Sequence, residues 1–141
     1  MKALSHFFFY CYCGLAVAAG CWGAFGNPRI DFGVLFHFPV QSLDAYARVN
    51  LLDQYRFLRG IEMGFGLFCL VLTREIFSVP RYNMLFLCAM SAGTCARIVS
   101  LSVDGRPSAA MCFFLAFELA GIVIIAVYSY HAVYHKKLPY A

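Results

Sequence analysis

Charge is scarce in this chain. Of its 141 residues only 13% are Asp, Glu, Lys or Arg, and lysine occurs only at Lys2, Lys136 and Lys137. The net charge of +4 is spread too thinly to form the basic face that a nucleic-acid partner requires. A disordered segment is excluded by the same balance, since such segments are rich in charge and poor in apolar residues. Chemical motifs are missing as well: no nucleophile stands beside a base, no glycine loop is built to cradle phosphate, and no histidine and carboxylate box occurs. Internal repeats and low-complexity stretches are absent. Cysteine is present in an odd number, seven, and Cys11, Cys13, Cys21, Cys69, Cys88, Cys95 and Cys112 all fall in apolar runs. They read as small apolar fillers rather than a disulfide scaffold or a metal set.

What fills the chain is apolar: 62% of residues are hydrophobic and the mean hydropathy is +0.73. A soluble domain of this size has too little interior to hide that much apolar surface, and lipid removes the difficulty. Runs long enough to cross roughly 30 Å of hydrocarbon are found at about 7–25, 55–72, 82–103 and 108–130. Asn27 and Pro28 stop the first run, Arg74, Glu75, Pro80 and Arg81 separate the second from the third, and Asp104 to Pro107 turn the chain into the fourth. The predicted fold is therefore an all-α integral membrane protein, one domain over 1–141, a bundle of four transmembrane helices with a long first loop. Lys2 before an apolar run, with Ala18, Ala19, Gly20 and Cys21 following, faintly resembles a lipoprotein leader. The box is imperfect, and the run is expected to be retained as a span.

The first loop, 26–54, contains a nine-residue apolar run from Phe32 to Val40, bounded by Pro28 and Pro39 and too short to span. It is expected at the interface or over the bundle mouth, as a plain cap or a substrate lid. Ser42 is placed to cap a helix that continues through Asp44, Arg48 and Leu52 into the second span. An even number of spans puts both termini on one side, with Lys2, Arg74, Arg81, Lys136 and Lys137. The other side carries Arg29, Arg48, Arg56, Arg59 and Arg106 together with Asp31, Asp44, Asp53 and Asp104. The lysines favour the cytoplasm for both termini.

The few ionisable residues inside the spans carry the functional expectation, because Arg or Asp at a span centre lies about 2.5–3.5 kcal/mol uphill even on gentle scales. Arg59 and Glu62 open the second span, Arg97 stands near the end of the third, and Glu118 lies within the fourth. Counting helical rise from the Asp104 turn, Arg97 lies roughly 10 Å and Glu118 roughly 16 Å into the membrane. All four charges fall in one half. Stripes of small and polar residues run with them: Ala89, Gly93, Arg97, Ser100 and Asp104 on the third span; Glu62, Gly66, Cys69 and Thr73 on the second; Glu118, Gly121 and Tyr128 on the fourth. Facing stripes predict a buried cluster in which Arg59 and Arg97 meet Glu62 and Glu118, open toward the first and third loops. Such pairs either fix helix register or line a polar pocket for a lipid head group, quinone-like molecule, small anion or partner segment. Gly60 and Gly64 supply a small-residue packing face. No cofactor is predicted; the weak metal alternative is haem held by His6, His131 and His135.

From Gly93, Ala96, Arg97 and Ser100 through Asp104, Gly105, Arg106, Pro107 and Ser108 to Glu118, the chain resembles a family of small bacterial four-span membrane proteins known only as a domain of unknown function. Arg59, Gly60 and Gly64 are similar too, so the resemblance runs over about 55–130 and is strongest across the turn. It implies a four-helix inner-membrane bundle and a role for Arg59, Glu62, Arg97, Ser100, Asp104, Arg106 and Glu118, and it implies no activity. The long loop departs from the family's compact pattern and would suit docking to a larger complex. The first expectation is thus a non-catalytic accessory or assembly subunit with membrane lipids and other membrane subunits as partners. The alternative is a lipid-, quinone- or small-anion-binding protein or transporter, with an enzyme third.

Overall fold

The computed structural model of the chain describes residues 1–134. Six α-helices account for most of them: α1 (Lys2–Phe25), α2 (Pro28–Val34), α3 (Ala45–Val71), α4 (Thr73–Ile76), α5 (Pro80–Val103) and α6 (Ala109–Ser129), which runs on into a π-turn, Tyr130–Tyr134. No strand occurs among the described residues. Three helical stretches, Lys2–Phe25, Pro80–Val103 and Ala109–Tyr134, are long and apolar enough to cross a membrane. Helix α3 is longer, at 27 residues, or about 40 Å. Its last 18-residue stretch still carries Arg56, Arg59 and Glu62, and these charges lower its hydropathy below that of the other three.

Local chemistry explains the boundaries. Pro28 stands in the first turn of α2, while the Asn27 side chain accepts from the Arg29 backbone N–H at 3.2 Å. Pro80 opens α5 in the same way. Between α5 and α6, Gly105 adopts φ +100°, a left-handed conformation that L side chains rarely take and that lets the chain reverse in a few residues. The cap of α3 is Asp44, not the expected Ser42: its carboxylate accepts from the Tyr46 and Ala47 backbone N–H groups, both at 3.0 Å. Leu43 is extended, so Ser42 is left in a separate 3₁₀ turn with its hydroxyl on the Pro39 carbonyl.

Helix α1 organises the bundle, packing along α3 and against α6, while α5 packs against α6. The approach of α1 to α3 depends on two glycines. A Cβ at Gly20 would lie 2.6 Å from the Met63 backbone nitrogen, and one at Gly66 2.8 Å from the Cys13 carbonyl oxygen. Gly60 and Gly64, the expected packing pair, instead face open space, with nothing among the described residues within 4 Å of a Cβ there. Their spacing fits a helix contact, but α1 lies against the neighbouring face of α3.

The apolar core occupies one half of the bundle. Phe9, Cys69, Ile76, Phe86, Met90 and Ile125 are all at most 3% exposed and form one cluster. Asn83 closes that end as a fully buried amide, donating to the Ile76 carbonyl at 3.0 Å and to the Ser129 hydroxyl at 2.8 Å. Every long helix contributes to this core with the half nearer the α3–α5 connection. The other half is not filled by side chains.

Candidate functional site

Where the core ends, the helices surround a cavity of about 460 Å³, partly open to the outside. Helix α1 supplies Tyr12, Leu15, Ala16 and Ala19; α3 supplies Tyr55, Leu58, Arg59 and Glu62. Gly93 and Arg97 of α5 and Met111, Phe114, Phe117 and Glu118 of α6 complete the wall. The lining is mostly apolar with a few polar groups, the usual make-up of a small-molecule site.

Two ion pairs stand in that wall. Within α3, Arg59 Nη1 bonds Glu62 Oε2 at 2.5 Å, across one helical turn. Between α5 and α6, Arg97 Nε lies 3.1 Å from Glu118 Oε2. Thr94 reinforces the second pair, its hydroxyl 3.5 Å from the same Glu118 oxygen. Arg59 is fixed from several directions: its Nε donates to the Tyr55 hydroxyl at 2.9 Å, its guanidinium carbon sits 5.0 Å from the Tyr55 ring centre, and Gly23 leaves room for its stem. A Cβ at Gly23 would come within 2.5 Å of Arg59 Cγ.

The first loop covers this end of the bundle. Leu35 and Phe36 form part of the cavity wall, and Phe32 packs on Tyr55 with ring centres 5.0 Å apart. Asp31, only 8% exposed, holds the segment in place, accepting from Trp22 Nε1 at 3.1 Å and from the Tyr55 hydroxyl at 2.8 Å. A hydrogen-bond chain thus runs from Trp22 through Asp31, Tyr55 and Arg59 to Glu62. At the far end of α2, His37 takes φ +51° and turns the chain back, with Phe38 N–H bonded to the Phe32 carbonyl at 2.9 Å.

Of the residues singled out from the sequence, Arg59, Glu62, Arg97 and Glu118 are brought to one cavity. Ser100, Asp104 and Arg106 are exposed and lie off its wall. The buried face of α5 runs through Asn83, Phe86, Met90 and Thr94, which at 100° per residue is roughly 65° away from the stripe of small and polar residues. On α5 large apolar side chains, not small ones, decide which face packs, whereas Gly66 and Cys69 of the α3 stripe and Gly121 of the α6 stripe are buried; Arg97 lies where the two stripes of α5 overlap. Tyr12, Asp31, Tyr55 and Thr94 were not expected. Tyr55 precedes Arg59 by four residues, a same-face spacing that was readable; nothing in the sequence joins Asp31 to it. His6 stacks on Phe77 with ring centres 4.2 Å apart and bonds the Lys2 carbonyl at 2.9 Å, at the core end of the bundle. His131 follows α6 at that same end, in the π-turn, and His135 lies outside the described residues. Among the described residues no group of three or more His, Cys, Asp or Glu side chains is placed to hold a metal ion.

Residues 7–129 match a sequence family described as Domain of unknown function (DUF4345). The match takes in α1 and the first loop as well as the later helices. No curated protein and no solved structure matches the chain.

Proposed function

We propose that this chain, which belongs to the DUF4345 family, is a four-span protein of the bacterial inner membrane that binds an amphiphilic small molecule in the cavity between its helices. The fourth span is α3. Its Arg59 and Glu62 face the cavity and its Arg56 bonds the Ala24 carbonyl at the end of α1, while its apolar residues Ile61, Leu67, Phe68 and Val71 are turned outward where lipid would lie. With both termini cytoplasmic, the cavity stands in the periplasmic half of the membrane, under the first loop.

One observation carries the binding reading: the two Arg–Glu pairs flank an unfilled cavity instead of being packed against each other. Pairs that served register alone would gain from close packing, since the desolvation cost of a charge pair is offset only by good geometry around it. The binding reading is favoured over an accessory subunit for the same reason. A phenylalanine-rich exterior serves a lone bundle in lipid as well as it serves a subunit interface, whereas a mostly apolar cavity with two ion pairs in its wall has no use in mere packing.

Extraction of the protein in mild detergent, followed by native mass spectrometry, tests the reading. A monodisperse protein carrying an amphiphile is the expected result, with less of it retained by Arg97→Gln. Stoichiometric protein partners and no bound amphiphile would return the subunit reading. Lost thermal stability in Arg97→Gln with undiminished retention would assign the charges to packing.

A further inference from the structure

The hydrogen-bonding capacity most open to a ligand lies on one cation and one anion, although Arg59 Nη2 and Glu118 Oε1 also have no partner among the described residues. Arg97 is 40% exposed and Glu62 37%, whereas their ion-pair partners, Glu118 and Arg59, are 13% and 18% exposed. Arg97 uses Nε on Glu118, and its Nη1 reaches only the Met111 sulfur at 3.7 Å, a weak acceptor. Its other terminal N–H groups have no partner among the described residues. Glu62 gives one oxygen to Arg59, and its second oxygen has no partner among the described residues. The hydroxyl of Tyr12, another residue of the cavity wall, is also bonded to none of the described residues.

The four charges sum to zero, two arginines against two glutamates. An anionic ligand would gain Arg97 but meet Glu62 and Glu118, and a cationic one would meet both guanidinium groups. A neutral acceptor such as a quinone would use Arg97 and Tyr12 and leave the Glu62 oxygen desolvated without a donor. A group that carries an oxyanion and an ammonium together completes all three.

Resting on the amphiphile reading above, the geometry points to a zwitterionic ligand head, with its oxyanion on Arg97 and Tyr12 and its ammonium on Glu62. A phosphoethanolamine lipid head has this chemistry. A cavity of about 460 Å³ that is partly open to the outside has room for a head group and glycerol, with the acyl chains left to the bilayer. The mostly apolar wall favours the lipid over a free zwitterion of the same chemistry.

The full chain is reconstituted in vesicles of equal parts phosphatidylethanolamine and phosphatidylglycerol, released, and weighed by native mass spectrometry. The protein is expected to retain phosphatidylethanolamine in about tenfold excess, the worth of one charged hydrogen bond. Glu62→Gln should bring the two lipids near parity while some lipid is still held, and Tyr12→Phe, which keeps the ring packing, should lower retention of phosphatidylethanolamine. Circular dichroism confirms that each variant is folded. Equal or greater retention of phosphatidylglycerol by the unaltered protein, or a preference untouched by Glu62→Gln, would overturn the zwitterion assignment and leave the amphiphile reading standing. Retention of no lipid by the unaltered protein, with free phosphoethanolamine also failing to bind, would remove both. Binding of free phosphoethanolamine in a Glu62-dependent manner, with no lipid retained, would support the head chemistry and identify a soluble source.

Discussion

The Tyr55 hydroxyl donates a 2.8 Å hydrogen bond to Asp31, joining two residues that stand 24 positions apart. Through that bond the first loop is tied to the cavity wall, because the same hydroxyl accepts from Arg59 Nε at 2.9 Å. One phenol therefore couples the position of the covering segment to that of a cavity guanidinium. The second oxygen of Asp31 is held by the indole of Trp22, the sole tryptophan of the chain, so displacement of the cover should be visible in its fluorescence.

Asp31→Asn should loosen the cover. An amide at this position offers one oxygen where two are needed, leaving one of the two donors unpaired, at an expected cost of about 1–3 kcal/mol. Thermal melts should show the loss, and Trp22 emission should shift as its N–H partner moves. If neither changes, Phe32 and Phe36 hold the segment on Tyr55 by ring packing alone.

The glycines of α1 and α3 should separate cleanly by substitution. Gly20→Ala and Gly66→Ala each place a methyl group under 3 Å from backbone atoms of the facing helix, which no rotamer can relieve. The helices must move apart, at about 1–3 kcal/mol each. Gly60→Ala and Gly64→Ala meet nothing among the described residues, and removing a helical glycine should be neutral or stabilising by up to about 1 kcal/mol. Melting temperatures of the four variants in one detergent decide the matter. Equal losses at all four would place the close contact elsewhere.

Helix positions were readable because hydrophobic runs, prolines and the Asp-Gly-Arg-Pro turn are local signals, each acting within a few residues. Arg59, Glu62, Arg97 and Glu118 were readable because a charge inside an apolar run needs a partner wherever it lies. The rotation of α5 was not, since the choice between a stripe of small residues and one containing Phe86 and Met90 is made by the helices it meets. The spacing of Gly60 and Gly64 marked them as a packing pair and the inward stripe of α3 included Gly66, whereas Gly20 was not marked as a helix contact; only the packing of α1 shows that Gly20 and Gly66 make the close approach. The Asp31–Tyr55 bond is the least local feature, and no periodicity encodes it.

Asn83→Leu tests the closed end of the bundle. The fully buried amide donates to the Ile76 carbonyl and the Ser129 hydroxyl, and an isosteric apolar side chain leaves both without that donor. A loss of about 1–3 kcal/mol in unfolding measurements is expected. Retention of the proposed amphiphile should be preserved in the folded fraction, because Asn83 lies in the core half, away from the cavity wall. Loss of both together would mean that the two halves of the bundle are coupled.

Arg97 and Glu118 should be coupled to each other and not to Asp104. Removing Glu118 alone, as Glu118→Gln, leaves the half-buried Arg97 guanidinium without its charge partner. The double variant with Arg97→Gln removes both charges and should recover part of the loss. With one partner 40% exposed and the other 13%, a coupling energy of about 1 kcal/mol is expected, above the range of wholly exposed pairs and below that of wholly buried ones. A second cycle pairs Arg97→Gln with Asp104→Asn. Asp104 is an exposed helix-end residue off the cavity wall, and its coupling to Arg97 should fall within measurement error. A strong Arg97–Asp104 coupling would mean that α5 turns the small-residue stripe inward after all. Asp104 would then belong to the charge cluster of the cavity, as its helical spacing from Arg97 first suggested.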